Sequence, residues 1–202
     1  MSVKVAVIYY SATGTTYEIA RAIEAGAKEA GAEVRFRKVR ETAPEEAIKS
    51  NEDWVKHRSQ TQDVAEASTD DLEWADAIIL GTPTRYGLPS AQLKQFIDGT
   101  GGLWGSGKLV DKIVSSFTSA ATQHGGHETT LTALNNAFYH WGSIIVGPGY
   151  ADPIQFQSGN PYGTSFTSNN GELDPDEVTI KAAQFQAKRV VEVTKKFSSG
   201  GE

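Results

Sequence analysis

The sequence predicts an α/β fold, a doubly wound five-stranded parallel sheet in the order 2-1-3-4-5 with helices on both faces. Three observations point there. The runs from Val3 to Ile8, Ala75 to Gly81 and Ile113 to Phe117 are dominated by apolar residues, as strands covered on both faces require. Stretches of helical period separate them. Each of the three runs also leads into a turn rich in hydroxyls or glycine, and sheets of this kind bind ligands beyond the carboxyl ends of their strands, at the switch point.

The first run enters the turn Tyr9-Tyr10-Ser11-Ala12-Thr13-Gly14-Thr15-Thr16 and then a helix with Ile19, Ala20, Ile23, Ala27 and Ala30 on one face and Gly31 as its stop. A helix start offers unpaired N–H groups and the positive end of its dipole. Ser11, Thr13, Thr15 and Thr16 add hydroxyl donors, and Gly14 permits close backbone approach. No Lys or Arg lies in this loop, which suits one phosphate held by neutral donors better than a triphosphate with its metal. Capping accounts for one Ser or Thr here, but four hydroxyls and a glycine within six residues exceed that need. Glu33 to Val39 alternates apolar with charged residues and reads as a strand near an edge. Pro44 opens a polar, acidic stretch to about Thr69. Glu45 to Lys56 can form a short helix there, and the remainder is expected to be a mobile excursion with His57 solvated.

Asp70 to Trp74 reads as a capped helical turn. The third strand ends in Thr82-Pro83-Thr84-Arg85-Tyr86-Gly87, whose groups can hold a planar ligand. Pro89 is placed to start the next helix, which carries Leu93, Phe96 and Ile97. Gly102 to Lys108 fits G-x-x-x-x-G-K, but Leu109 stands where a Ser or Thr would bind magnesium and the stretch precedes a strand, so a turn is expected. Trp104, within that turn, either packs or stacks on a ligand. The fourth strand opens into Thr118-Ser119-Ala120-Ala121-Thr122-Gln123-His124-Gly125-Gly126-His127, followed by a helix from Glu128 to Trp141 with Leu131, Leu134 and Phe138 inward. Ser143 to Val146 is the fifth strand, Gly147 to Asp174 a long loop, and Pro175 to Phe197 a final amphipathic helix before a tail, Ser198 to Glu202, expected to fray. His124, His127 and Glu128 have a spacing that can bind zinc, but no further ligand accompanies them and no metal is assigned.

The chain of 202 residues suffices for one domain, 1–202, with an insertion at about 42–69 and a long loop at about 147–174. Twenty-five acidic against 19 basic residues, net −6, argue against a nucleic-acid partner. With no cysteine, disulfides, thiolate catalysis and iron–sulfur clusters are excluded. No apolar run is long enough to insert in a membrane, and the chain enters its first strand without a signal-peptide pattern, so a cytoplasmic location is expected. The absence of G-x-G-x-x-G weakens a dinucleotide-binding alternative.

The residues YYSATGTT after the first strand, GTPTRYG after the third and TGGLWGSGKL before the fourth resemble the WrbA family of flavodoxin-like NAD(P)H:quinone oxidoreductases. The loop with Gly149-Tyr150 and Asn160-Pro161-Tyr162-Gly163 is similar as well, so the resemblance spans nearly the whole chain. It implies a flavodoxin-like sheet and an enzyme that binds FMN tightly without a covalent bond and takes NADH or NADPH as electron donor. It further implies two-electron reduction of quinones to hydroquinones by ping-pong hydride transfer through FMN. On this resemblance Ser11, Ala12, Thr13, Gly14, Thr15 and Thr16 wrap the FMN phosphate, and Pro83, Thr84, Arg85, Tyr86 and Gly87 border the isoalloxazine. Ser119, Ala120, Ala121, Thr122, Gln123, His124 and Gly125 follow the ring and ribityl side. His140 falls at the family's flavin-site histidine and Trp104 at the aromatic position lining the nicotinamide and quinone cavity. Arg85, His140 and Trp104 are therefore the catalytic candidates, Arg85 for the negative charge developed on reduced flavin and His140 for a hydrogen bond or a proton. A homotetramer with sites completed by neighbouring subunits is also implied. Two other readings are a flavodoxin-type electron carrier and an FMN-binding regulatory protein. The insertion and the Trp104 loop argue against an exposed-edge carrier, and the net charge argues against direct DNA binding.

Overall fold

The computed structural model describes residues 2–199. In chain order it contains β1 (Lys4–Tyr9), α1 (Thr15–Glu29), β2 (Glu33–Lys38), α2 (Glu45–Lys49), α3 (Glu52–Gln60) and α4 (Thr69–Trp74). These are followed by β3 (Ala77–Arg85), β4 (Leu88–Pro89), α5 (Ala91–Asp98), α6 (Gly101–Gly105), β5 (Ile113–Ala120) and α7 (His127–Trp141). Then come β6 (Ile144–Ile145), α8 (Pro153–Ser158), β7 (Ser165–Thr167), a 3-10 turn at Asn169–Gly171 and α9 (Glu177–Ser199). The sheet runs β2-β1-β3-β5-β6, with parallel pairing along that path. Among the crossover strands this is the expected 2-1-3-4-5. The full sheet has seven strands, because β4 turns back antiparallel on β3 and β7 pairs parallel with β5.

Strand periodicity divides the core. Val5, Val7 and Tyr9 of β1 face one side with Ile19, Ile23 and Ala27 of α1 and Ala187, Val190 and Val191 of α9. Ala6 and Ile8 face the other side with Leu72 of α4, Leu93 of α5, and Leu134 and Phe138 of α7. Burial on both faces explains why β1, β3 and β5 read as apolar runs. β2 is an edge strand of intermediate burial, and its charges are used: Arg35 and Arg37 both reach the Asp71 carboxylate at 3.1 Å. Arg35 also lies over the Trp74 ring at 4.2 Å.

Five expectations are corrected. The short helix expected over Glu45 to Lys56 is two, broken at Ser50 and restarted where Asn51 Oδ1 accepts from Trp54 N–H at 3.1 Å, and α3 runs on to Gln60 into the stretch expected to be a mobile excursion. His57 is buried rather than solvated, since α3 lays it against Tyr17 at 5.3 Å between ring centroids. Glu41 pins this insertion to the sheet, accepting from Tyr10 Oη at 2.9 Å, Trp54 Nε1 at 3.1 Å and Gln92 Nε2 at 2.8 Å. Burial pushes the Glu41 carboxyl up, but hydrogen bonds from Ala43 N–H, Gln92, Tyr10 and Thr42 N–H outweigh it and hold the pKa below the usual carboxylate range. The 147–174 loop contains α8 and β7, because Gln186 accepts from Thr164 N–H and donates to Ser115 Oγ and Ser116 C=O, each at 2.8 Å. Pro89 lies in β4 instead of opening a helix, and Ser90 caps α5 through Leu93 N–H at 3.3 Å. Of the expected frayed tail, Ser198 and Ser199 continue α9, and 200–202 lie outside the described residues.

Helices α1 and α9 approach so closely that a Cβ on Gly26 would stand 2.4 Å from the Gln184 carbonyl oxygen. Backbone cannot move aside as a flexible side chain can. Gly26→Ala is therefore expected to lower unfolding stability by about 1–3 kcal/mol, read from urea denaturation, with the circular dichroism of the remaining folded protein unchanged.

Candidate functional site

Three strands deliver their following loops to one edge of the sheet, and a cleft of about 550 Å³ lies between those loops. Ser11, Ala12, Thr13, Thr15 and Thr16 line it after β1, Pro83, Thr84, Arg85 and Tyr86 at the end of β3, and Ser119, Ala120, Ala121, Thr122 and Gly125 at the end of β5. Among the described residues no side chain caps α1, whose N-cap is Gly14 at φ 114°. The first helical hydrogen bond is Glu18 N–H to Gly14 C=O, so the N–H groups of Thr15, Thr16 and Tyr17 precede the helical ladder.

Hydroxyls tie the loops together beneath the cleft. Thr16 Oγ1 and Ser119 Oγ are 2.8 Å apart, joining the start of α1 to the end of β5. Thr118 donates to Thr82 C=O at 2.7 Å, and Thr130 of α7 donates to Thr84 Oγ1 at 2.7 Å. Thr84 Oγ1 also accepts from Gly87 N–H at 3.1 Å, closing the β3–β4 hairpin. The hairpin tip is Tyr86-Gly87, with φ of 54° and 77°. Asn or Asp usually occupies the first of two such positions, so a tyrosine there is held against its backbone preference, and its ring is fully exposed. Gly87 is required by packing as well, because a Cβ there would stand 2.8 Å from Thr129 Oγ1. Arg85 is exposed, donates to Thr84 C=O at 2.9 Å and lines the cleft.

Of the residues singled out in the sequence, Gly14 and Gly87 shape the loops without lining the cleft, and Gln123 and His124 are exposed outside it. Trp104 and His140 lie elsewhere. Trp104 Nε1 donates to His140 C=O at 2.8 Å, and His140 borders a separate apolar groove of about 510 Å³ with Leu88, Ile97, Ala137 and Trp141. His127 is turned toward Thr167 of β7, with Nε2 3.2 Å from its hydroxyl, and burial lowers its pKa. Among the described residues no three His, Asp or Glu side chains gather as a metal site. Sequence reasoning missed Ser168, Asn170 and Gly171, which follow β7 and line the cleft opposite the hairpin. Their signal was the Ser-Asn-Asn-Gly turn: Asn169, Asn170 and Gly171 all take positive φ.

Comparison with known proteins agrees with this geometry. The profile of a family described as NADPH-dependent FMN reductase matches residues 3–156. A protein of Deinococcus radiodurans named NAD(P)H dehydrogenase (quinone) is 46% identical over 197 residues, covering 96% of this chain and 97% of the relative. One of the same name from Brucella anthropi is 43% identical over 205 residues, covering 98% of this chain and 100% of the relative. Among solved structures, a flavodoxin, WrbA-like protein from Agrobacterium tumefaciens superposes with a TM-score of 0.70 at 26% identity, covering 96% of this chain and 99% of that one. An archaeal flavodoxin shares the fold, at a TM-score of 0.64 and 18% identity over 96% of this chain and 99% of its own. Matched over most of its length and by relatives more than 40% identical end to end, this chain belongs to the NADPH-dependent FMN reductase family, among its WrbA-like NAD(P)H dehydrogenases (quinone).

Proposed function

We propose that this protein is an FMN-dependent NAD(P)H:quinone oxidoreductase that reduces quinones to hydroquinones, donor and acceptor using one site in turn. The observation that carries the reading is the uncapped start of α1 inside a cleft lined by hydroxyls. Unpaired N–H groups, a helix dipole and no cationic side chain in the loop fit a single phosphate. A long cleft between the hairpin tip and the end of β5 suits a flat ring system beyond it.

The chemistry FMN supplies when bound is the acceptance of two electrons as hydride from NAD(P)H and their release to a quinone. In this reading Ser11, Ala12, Thr13, Gly14, Thr15 and Thr16 hold the phosphate. Pro83, Thr84, Arg85, Tyr86 and Gly87 border the ring on one side, and Ser119, Ala120, Ala121, Thr122, Gln123, His124 and Gly125 follow it on the other. Arg85 offers a positive charge where negative charge accumulates, and Tyr86 offers an aromatic wall to a flat substrate. Steady-state oxidation of NADH and NADPH with benzoquinone tests the whole reading. Turnover is expected with FMN-loaded protein, and its absence would favour an electron carrier or a regulatory protein. Arg85→Ala is expected to slow flavin reduction about tenfold or more in stopped-flow absorbance, with FMN affinity changed by less than about threefold. An unchanged reduction rate removes Arg85 from the mechanism.

The homotetramer belongs to the same proposal. Trp104 and His140 lie away from this chain's own cleft, so they can serve chemistry only at a neighbour's. The apolar groove beside them, together with exposed Leu88, Trp104 and Tyr139, offers a surface for that neighbour. A cytoplasmic setting, where nicotinamide donors are kept, fits as well, and no helix among the described residues is long and apolar enough to cross a membrane. Sedimentation is expected to give four times the chain mass of 21.8 kDa. Mixing Arg85→Ala with Trp104→Ala subunits is expected to restore part of the activity each has lost, because some mixed sites carry neither change. No restoration would confine each site to one chain.

A further inference from the structure

The insertion places a histidine behind the anion loop. A Cβ built on Gly14 would stand 3.6 Å from His57 Nδ1, and Ser11, whose hydroxyl accepts from Gly14 N–H at 3.1 Å, lines the same small cavity of about 280 Å³ as His57. His57 is 6% exposed, and its ring nitrogens are not among the buried unpartnered polar atoms of the described residues, so they open on that cavity. α3 is locked in place around it. Thr61 donates its hydroxyl to His57 C=O at 2.9 Å, and Lys38 Nζ donates to Thr61 C=O at 2.6 Å.

We propose that His57 is a positioning residue for the anion loop that takes up a proton from solvent when a phosphate group is seated there, so that binding of the phosphate-bearing cofactor and protonation of His57 are coupled. This rests on the FMN reading of the cleft. The physical case is one of charge balance. Burial, and then the Lys38 ammonium, push the imidazole pKa down to about 4, so the ring is neutral in the empty protein at ordinary pH. A dianion at the start of α1 adds nearby negative charge without adding solvent, and that favours the imidazolium.

The other groups around the ring do not supply this charge. Tyr17 meets it edge-on from α1, and Tyr9 and Tyr10 close the cavity from β1. Burial raises the pKa of both Tyr9 and Tyr10, which keeps them neutral. Beyond Lys38 come Arg40 and Glu41, then Glu66, and Arg58 lies on the same helix as His57. Arg58 is paired with Glu45 at 2.7 Å, and Glu41 is held by Tyr10, Trp54 and Gln92. Neither Glu41 nor Glu66 bonds to the ring among the described residues, so the strongest new influence on His57 is whatever occupies the loop.

Calorimetric titration of the full-length, FMN-free chain with FMN at pH 6, in buffers of different ionisation enthalpy, counts the protons taken up. The wild type is expected to take up more protons than His57→Gln, by no more than about one. The ratio of FMN dissociation constants, His57→Gln over wild type, is expected to grow as pH falls from 8 to 5, by no more than about tenfold per pH unit for one linked proton. A purely structural role would leave that ratio flat. Equal proton counts and a flat ratio, with FMN bound, overturn the coupling and leave the cofactor reading intact. No heat from either chain overturns the cofactor reading and the coupling with it. Should the Gln variant fail to fold, the His57 Hε1 resonance of the wild type decides. Its titration midpoint must rise on adding FMN, and an unmoved midpoint overturns the inference.

Discussion

Helix α1 must start where β1 ends, at an interior strand buried on both faces, and it starts on Gly14 without a side-chain cap among the described residues. Donors left open at such a point are costly unless something accepts from them. The surrounding hydroxyls reinforce that polarity instead of relieving it. Thr16 is committed to Ser119 and Thr118 to Thr82, so the side chains brace the three loops against each other and the N–H groups stay available. The cleft is therefore braced at the start of α1, while Tyr86 stands out fully exposed at its mouth. That division suits a cofactor kept in place while successive substrates come and go.

The architecture was legible in the sequence because burial on both faces leaves a plain mark. β1 and the first half of β3 carry unbroken apolar runs, and the crossover helices repeat at the helical period. Three of the four segments that line the cleft, those after β1, β3 and β5, were legible for a local reason, since their chemistry lies within a few consecutive residues. The illegible parts depended on distant partners. The polarity of the 42–69 stretch allowed a short helix to be read, but not that it continues past Lys56 or that Trp54 reaches Glu41 and His57 packs on Tyr17. Likewise β7 is three residues long and owes its place to Gln186, about twenty positions later, so the Ser-Asn-Asn-Gly turn was visible in the local pattern but its place at the cleft was not.

The last sheet position is shared. β6 covers the start of β5 and β7 its end, and the chain between them folds back tightly, since a Cβ on Gly163 would stand 2.2 Å from Ser116 C=O. Splitting one strand in two lets the chain leave the sheet and return carrying polar residues to the cleft. The excursion thus furnishes one wall of the site, and the helical insertion after β2 furnishes its support from the other side.

The opposite border of the sheet has a different consequence. Along β2, Arg35 and Arg37 converge on Asp71 and Arg35 covers Trp74, while the segment from Ala65 to Ala67 takes the last rung of the strand through Lys38. A foreign strand laid against that margin would confront guanidinium groups already engaged and a final rung already filled. The molecule is thereby guarded on this flank against runaway strand-on-strand polymerisation into fibrils.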